Sequence, residues 1–142
     1  MIAGIKVTPL KIIPLAAGNI LHAMKKEDPG FDGFGEAYFS LVKSGEIKAW
    51  KRHHQMTLNL VVPVGAIKFV LYDDRPDSPS TRSFFSIHLS RSNYHRLTVP
   101  PMIWMGFQGV GPEENLLLNI ANLPHDPVEA DRQDIHFFPY AW

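Results

Sequence analysis

The chain has 142 residues, and its 14 lysine and arginine side chains balance 14 aspartates and glutamates. It therefore lacks the broad positive field of a nucleic-acid or anionic-membrane binder. With no cysteine, disulfides and thiolate metal sites are excluded. The length predicts one domain over residues 1–142, large enough to bury a core. No secretion-signal pattern opens the chain and no run approaches the about 20 apolar residues of a membrane span, which predicts a cytoplasmic protein without a membrane partner.

Twelve prolines and ten glycines are spread along the sequence, which disfavours long helices. GNILHAMKKEDPGF, from Gly18, fits either a strand or a helical turn. Strands are predicted for EAYFSLVK from Glu36, for the glycine-flanked GEIKAWKRHH from Gly45, and for LNLVVPV from Leu58. Further strands are predicted for AIKFVLYDD from Ala66, SFFSIHLS from Ser83, HRLTVP from His95 and LLLNIANL from Leu116. All are short and rich in Val, Ile, Leu, Phe and Tyr. Between them lie KSGE, PVGA, DDRPDSPSTRS, SRSN, PPM and GVGPEEN, each with turn chemistry. Short strands at this spacing predict an all-β jelly-roll barrel.

The adjacent His53 and His54 raise the question of a metal. A cupin's first metal motif, G-x5-H-x-H-x3–4-E-x6-G, can be laid between Gly45 and Gly65, but its ligand positions then fall on Lys51, His53 and either Thr57 or Leu58. The second motif, P-x-G-x2-H-x3-N, falls on Pro100, Met102, Met105 and Gly109. One imidazole, a lysine and a thioether do not suit Zn, Fe or Mn. On a strand, His53 and His54 also point to opposite faces and cannot chelate one ion. No metal and no cofactor are expected.

Several separated segments, in order, resemble the dTDP-4-dehydrorhamnose 3,5-epimerase group of metal-free cupins. FGEAYFSLVKSGEIKAW resembles the group's strand pair leading into its active-site strand. VLYDDRPDSPS resembles its D-x-R-x-x-S-P-T turn, and LSRSNYHRLTVPPMIWMGF its L-S-x-x-N-x-x-x-L-x-I-P-P-G-x-x-H-G-F segment. NIANLPHDP and FPYAW are similar to the ends of small relatives. The resemblance implies a homodimer and a nucleotide-sugar ligand, a dTDP-4-keto-6-deoxy sugar used in surface-polysaccharide synthesis. It departs at the positions of catalysis. The group's histidine base aligns with Lys51, its H-G-F histidine with Met105, its tyrosine acid with Asn119 and a lysine with Leu58.

Epimerisation beside a ketone needs a base on one face of the sugar, an acid on the other and a donor for the enolate oxygen. Lys51 and His53 lie two residues apart and share a face, which the resemblance makes the barrel interior. His53 is accordingly the candidate base, and Lys51 the cation that steadies an enolate or a phosphate. Lys48, Asn59, Trp104 and Asn119 are the candidate substrate contacts. Asn59 is polar among aliphatics, Trp104 offers a stacking face, and an inward Asn119 would orient the sugar. Arg52 and His54 are expected on the solvated or dimer-facing side, with Trp50 packed outside the barrel. The Asp73-Asp74-Arg75 turn is expected to fix its loop, and Tyr140 and Trp142 to dock on the barrel or a partner. Two functions remain open, an epimerase or isomerase of altered mechanism and a non-catalytic cupin that binds a sugar nucleotide or saccharide.

Overall fold

A computed structural model describes all residues, 1–142. The short apolar runs form strands, and the one helical segment is a 3-10 turn over Pro127–Glu129. In chain order the strands are β1 (Lys6–Pro9), β2 (Ile12–Ile13), β3 (Ile20–Leu21), β4 (Glu36–Val42), β5 (Ile47–His53) and β6 (Leu58–Val64). They continue with β7 (Ala66–Tyr72), β8 (Phe84–Ser90), β9 (His95–Val99), β10 (Trp104–Gly109), β11 (Asn115–Ala121) and β12 (Ala130–Arg132). One sheet runs β1-β9-β6-β11-β4, the other β12-β5-β10-β7-β8, and β2 with β3 makes a small ribbon. Pairing is antiparallel throughout these sheets, and most neighbours are distant in sequence. This is the predicted jelly roll.

Alternation puts every second side chain between the sheets. Leu58, Leu60, Leu97 and Leu117 from the first sheet meet Ile67, Phe69, Leu71 and Leu89 from the second in one buried core. The two outer faces are treated differently. Over the second sheet, the C-terminal tail lays Phe138, Tyr140 and Trp142 against Trp50, Val70 and Trp104. The expected docking of Tyr140 and Trp142 is met on the chain itself. Over part of the first sheet lies the loop after β3. There Arg96, fully buried, donates to the carbonyls of Ala23 and Pro29 at 2.8 and 2.7 Å and pairs with Asp28.

Seven of the predicted strands form within a few residues of their expected limits, and GNILH contributes only the two residues of β3. Four strands escaped the sequence reading. β1 and β2 precede the first segment read there, β10 carries Gly106 and Gly109, and β12 is the polar run ADR. β12 is a strand because it has a partner, with Ala130 opposite His53 and Arg132 opposite Lys51.

The acidic turn after β7 fixes its loop, as expected. The Asp73 carboxylate is fully buried and accepts from Arg75 Nε at 2.8 Å, Ser78 Oγ at 2.6 Å and Ser80 Oγ at 2.7 Å. Arg75 Nη2 also reaches the Ala3 carbonyl at 2.7 Å, tying the N-terminus to the barrel. The Arg75 guanidinium, helped by the two serines, holds Asp73 far below the usual carboxylate range against the opposing effect of burial.

Candidate active site

Between the sheets, beyond the packed end of the core, a cavity of about 390 Å³ remains. Its size is in the range of small-molecule sites. One wall comes from the first sheet, with Tyr38 and Ser40 of β4 and Leu117 and Asn119 of β11. The other comes from the second sheet, with Lys48, Lys51 and His53 of β5 and Met105 and Phe107 of β10. Arg132 and Gln133 close one side. Lys48 and Lys51 would face opposite ways on a regular strand. They share the cavity because the β5–β10 register shifts between them, with Met105 opposite Lys51 and Phe107 opposite Lys48. The positions to which the resemblance assigned catalytic groups, 51, 58, 105 and 119, all line this cavity.

His53 is the expected inward imidazole, and it is braced. Its Nδ1 lies 2.6 Å from Glu129 Oε1. The other carboxylate oxygen, Oε2, accepts from the backbone N–H groups of Gln55 at 2.7 Å and Met56 at 2.9 Å. The 3-10 turn and the β12–β5 pairing deliver Glu129 to this spot. Burial works to raise the Glu129 carboxyl, but the two backbone donors and His53 outweigh it, leaving it at about 2. An ionised carboxylate at Nδ1 selects the tautomer with the proton there and leaves Nε2 as the basic nitrogen. Burial lowers the His53 pKa, partly offset by Glu129, so the ring is neutral at pH 7. Sequence reasoning missed Glu129; its contact with His53 spans 76 residues and no local spacing announces it.

Lys51 is half-buried, and desolvation together with nearby Arg132 lowers its pKa. Lys48 lies more openly and donates to the Leu41 carbonyl at 2.8 Å. Asn119 is buried in the cavity wall, where its Nδ2 donates to the Tyr38 hydroxyl at 2.9 Å.

Two expected substrate contacts are corrected. Asn59 is on β6 next to Leu58, so alternation turns it to the outer face. There it accepts from Thr98 Oγ1 at 2.6 Å and donates to the Gly30 carbonyl at 2.9 Å. It is a satisfied polar residue under the loop after β3, away from the cavity. Trp104 also faces outward. It is buried in the tail cluster, donates from Nε1 to Asp74 at 2.8 Å and lies under the Arg52 guanidinium. On the same outer surface Arg52 pairs with Asp74 and Asp131, and His54 with Asp131. His53 and His54 thus serve opposite faces, as alternation requires. No three His, Asp or Glu side chains converge anywhere in the chain, so the residues present do not fit the three-ligand metal site of a metal-dependent cupin.

Fold and cavity together define a cupin-type barrel. The crystal structure of a dTDP sugar isomerase from Desulfovibrio desulfuricans G20 matches with a TM-score of 0.95 and 40% identity, over 99% of this chain and 92% of that one. The probable low-salt glycan biosynthesis epimerase Agl13 of Haloferax volcanii is 26% identical over 138 residues, 96% of this chain and 88% of that protein. The dTDP-4-dehydrorhamnose 3,5-epimerase of Sulfolobus tokodaii shares the fold, with a TM-score of 0.85 and 21% identity over 97% of this chain and 81% of that one. No protein-family profile matches the sequence. The chain belongs to the dTDP sugar isomerase family, of the dTDP-4-dehydrorhamnose 3,5-epimerase type.

Proposed function

We propose that the protein is a sugar-nucleotide epimerase or isomerase acting on a dTDP-4-keto-6-deoxy sugar in the synthesis of a surface polysaccharide, with active-site residues altered from those of the 3,5-epimerases. The observation that carries this reading is the pairing of His53 with Glu129 at the wall of a cavity that also holds Lys51. A binding module has no need of a neutral imidazole with an oriented, unpartnered Nε2. A proton-abstracting enzyme needs that nitrogen above all.

In this reading His53 Nε2 removes the acidic proton from a carbon beside the C4 ketone, and the electron pair moves to the ketone oxygen as an enolate. Lys51 supplies positive charge to that oxygen or to the diphosphate, in surroundings where water screens it weakly. Lys48 and Arg132 extend the positive side of the cavity toward a dianionic diphosphate. The protein is proposed to work in the cytoplasm as a homodimer. The dimer is favoured by the apolar outer face of β4, where Phe39 and Leu41 are exposed.

The test is incubation with dTDP-4-keto-6-deoxyglucose in D2O, followed by NMR. Deuterium should enter at C3 or C5. His53→Ala should abolish that entry, and Lys51→Ala should slow it. A wild-type protein that binds the nucleotide sugar, raising its melting temperature, but exchanges no carbon-bound hydrogen would overturn the enzymatic reading.

A further inference from the structure

Tyr38 lies within the first segment of the family resemblance but at none of the positions to which that resemblance assigned a catalytic group, yet its phenol stands in the cavity directly opposite Asn119 in the β4–β11 ladder. The hydrogen bond between them has a fixed direction. Asn119 Nδ2 donates and the phenol oxygen accepts, at 2.9 Å. The phenol's own proton is thereby left for something in the cavity. Asn119 Oδ1 is buried and has no partner in the protein, and a buried amide oxygen calls for a hydrogen bond from a ligand or an ordered water. The pair therefore offers the cavity one donor, the phenol, and one acceptor, the amide oxygen. Both sit on the first sheet, whereas His53 rises from β5 of the second sheet on the facing wall.

We propose that Tyr38 is the general acid of the reaction, positioned by Asn119, and that its place on the wall opposite His53 makes the outcome inversion at the carbon that loses its proton. The inference rests on the epimerase reading above. His53 Nε2 takes the carbon-bound proton and becomes imidazolium. The enolate then takes the phenol proton at the same carbon on its other face, which restores the ketone and leaves phenolate. His53 returns its proton to solvent, and Tyr38 draws one from solvent, so the cycle closes without any further reactant. Asn119 Oδ1 accepts a hydrogen bond from a sugar hydroxyl. Burial and the nearby Glu36 carboxylate raise the Tyr38 pKa, which keeps the phenol protonated at neutral pH.

The strand register explains how this could arise. Position 119, which the resemblance assigns to an acid, carries an amide here, and the phenol comes instead from the residue paired across the ladder from it.

The experiment follows the same substrate in D2O with Tyr38→Phe and Asn119→Asp. In Tyr38→Phe the inverted product should fall by about 100-fold or more. Deuterium should still enter with retained configuration, because His53 can return a deuteron to the face it came from. In Asn119→Asp the carboxylate can only accept, so the hydrogen bond reverses and captures the phenol proton. Inversion should fall about tenfold or more relative to exchange with retention, a partition that a purely structural loss would leave unchanged. Tyr38 is 42% exposed, so Tyr38→Phe should keep the wild-type melting temperature within a few degrees, and the ratio of inversion to retention reads Asn119→Asp independently of any loss of stability at that buried position. A Tyr38→Phe protein that inverts within threefold of the wild-type rate overturns the proposal while leaving the enzymatic reading intact. Absence of any exchange in the wild type overturns both.

Discussion

At the scale of single residues, Glu129 decides which nitrogen of His53 meets the cavity, and this can be tested without disturbing the fold. In Glu129→Gln the amide oxygen can keep the N–H groups of Gln55 and Met56, which now bond to Oε2. That leaves the NH2 group facing His53 Nδ1. Nδ1 must then accept, the ring proton moves to Nε2, and the base is lost from the cavity side. We expect kcat to fall about 10²- to 10⁴-fold with little change in melting temperature. A variant retaining kcat within a factor of three would show that the tautomer is immaterial. The wild-type pH profile follows from the same pair. The His53 pKa lies below its ordinary 6.5 and the neutral ring is the active form. Thus kcat/KM should be level at neutral pH and decline only as pH drops through a value below 6.5. Much of this site was legible in the sequence. His53 and Lys51 were found because alternation puts them on one face. Asn119 was found because a resemblance placed it inside. Glu129 and Tyr38 were not, since each takes its meaning from a residue far away in the sequence, Glu129 from His53 beside the 3-10 turn and Tyr38 from Asn119 across the β4–β11 ladder. Asn59 and Trp104 misled for one reason: a polar or amphipathic side chain among aliphatics needs a partner, but the sequence does not say whether protein or ligand provides it.

At the scale of elements, β5 is held on both sides by segments that read poorly as strands. β10 carries Gly106, whose lack of a side chain is required: a Cβ there would stand 2.6 Å from the Ala49 Cβ and 2.9 Å from the Trp142 ring. The tail can therefore lie flat on β5 and β10 and bury Trp50, which is 1% exposed. Phe138 sits edge-on to Trp50 at 5.3 Å and stacks obliquely on Tyr72 at 4.4 Å. Its removal should loosen the outer support of the strand that carries Lys51 and His53. Phe138→Ala is expected to cost about 3–5 kcal/mol, lowering the melting temperature by roughly 10 °C. A drop of less than about 2 °C would mean that the tail merely rests on the sheet. The aromatic residues at the chain's end signalled docking in the sequence. The surface they cover did not, because β10 hid its strand character behind two glycines, Gly106 and Gly109.

At the scale of the whole molecule, the two sheets are finished unequally. The second has its outer face covered by the tail, whereas the first is covered only near Arg96 and Asn59. On the remainder, β11 and the edge strand β4 put apolar side chains outward in matched pairs, Leu116 with Leu41 and Leu118 with Phe39, with Ile120 beside Ala37. Phe39 is 65% exposed and Leu41 51%, and β4 has no neighbour on its free side. A contiguous apolar strip beside an open strand edge invites association unless something covers it. A second copy of the chain meets both needs at once, since an antiparallel pairing of two β4 edges is self-complementary under a two-fold axis. Such a contact would lie on the reverse side of the strand that bears Tyr38, so assembly would also steady one wall of the cavity. Phe39→Glu places a charge in the middle of the strip, at a position whose exposure leaves the isolated fold intact. Light scattering at micromolar concentration should give twice the chain mass for the wild type and the single-chain mass for Phe39→Glu. The variant should also turn over more slowly as Tyr38 loses its support. A wild type that sediments as a monomer across that range, with full activity, would show that the strip serves some other purpose and that the cavity is complete within one chain.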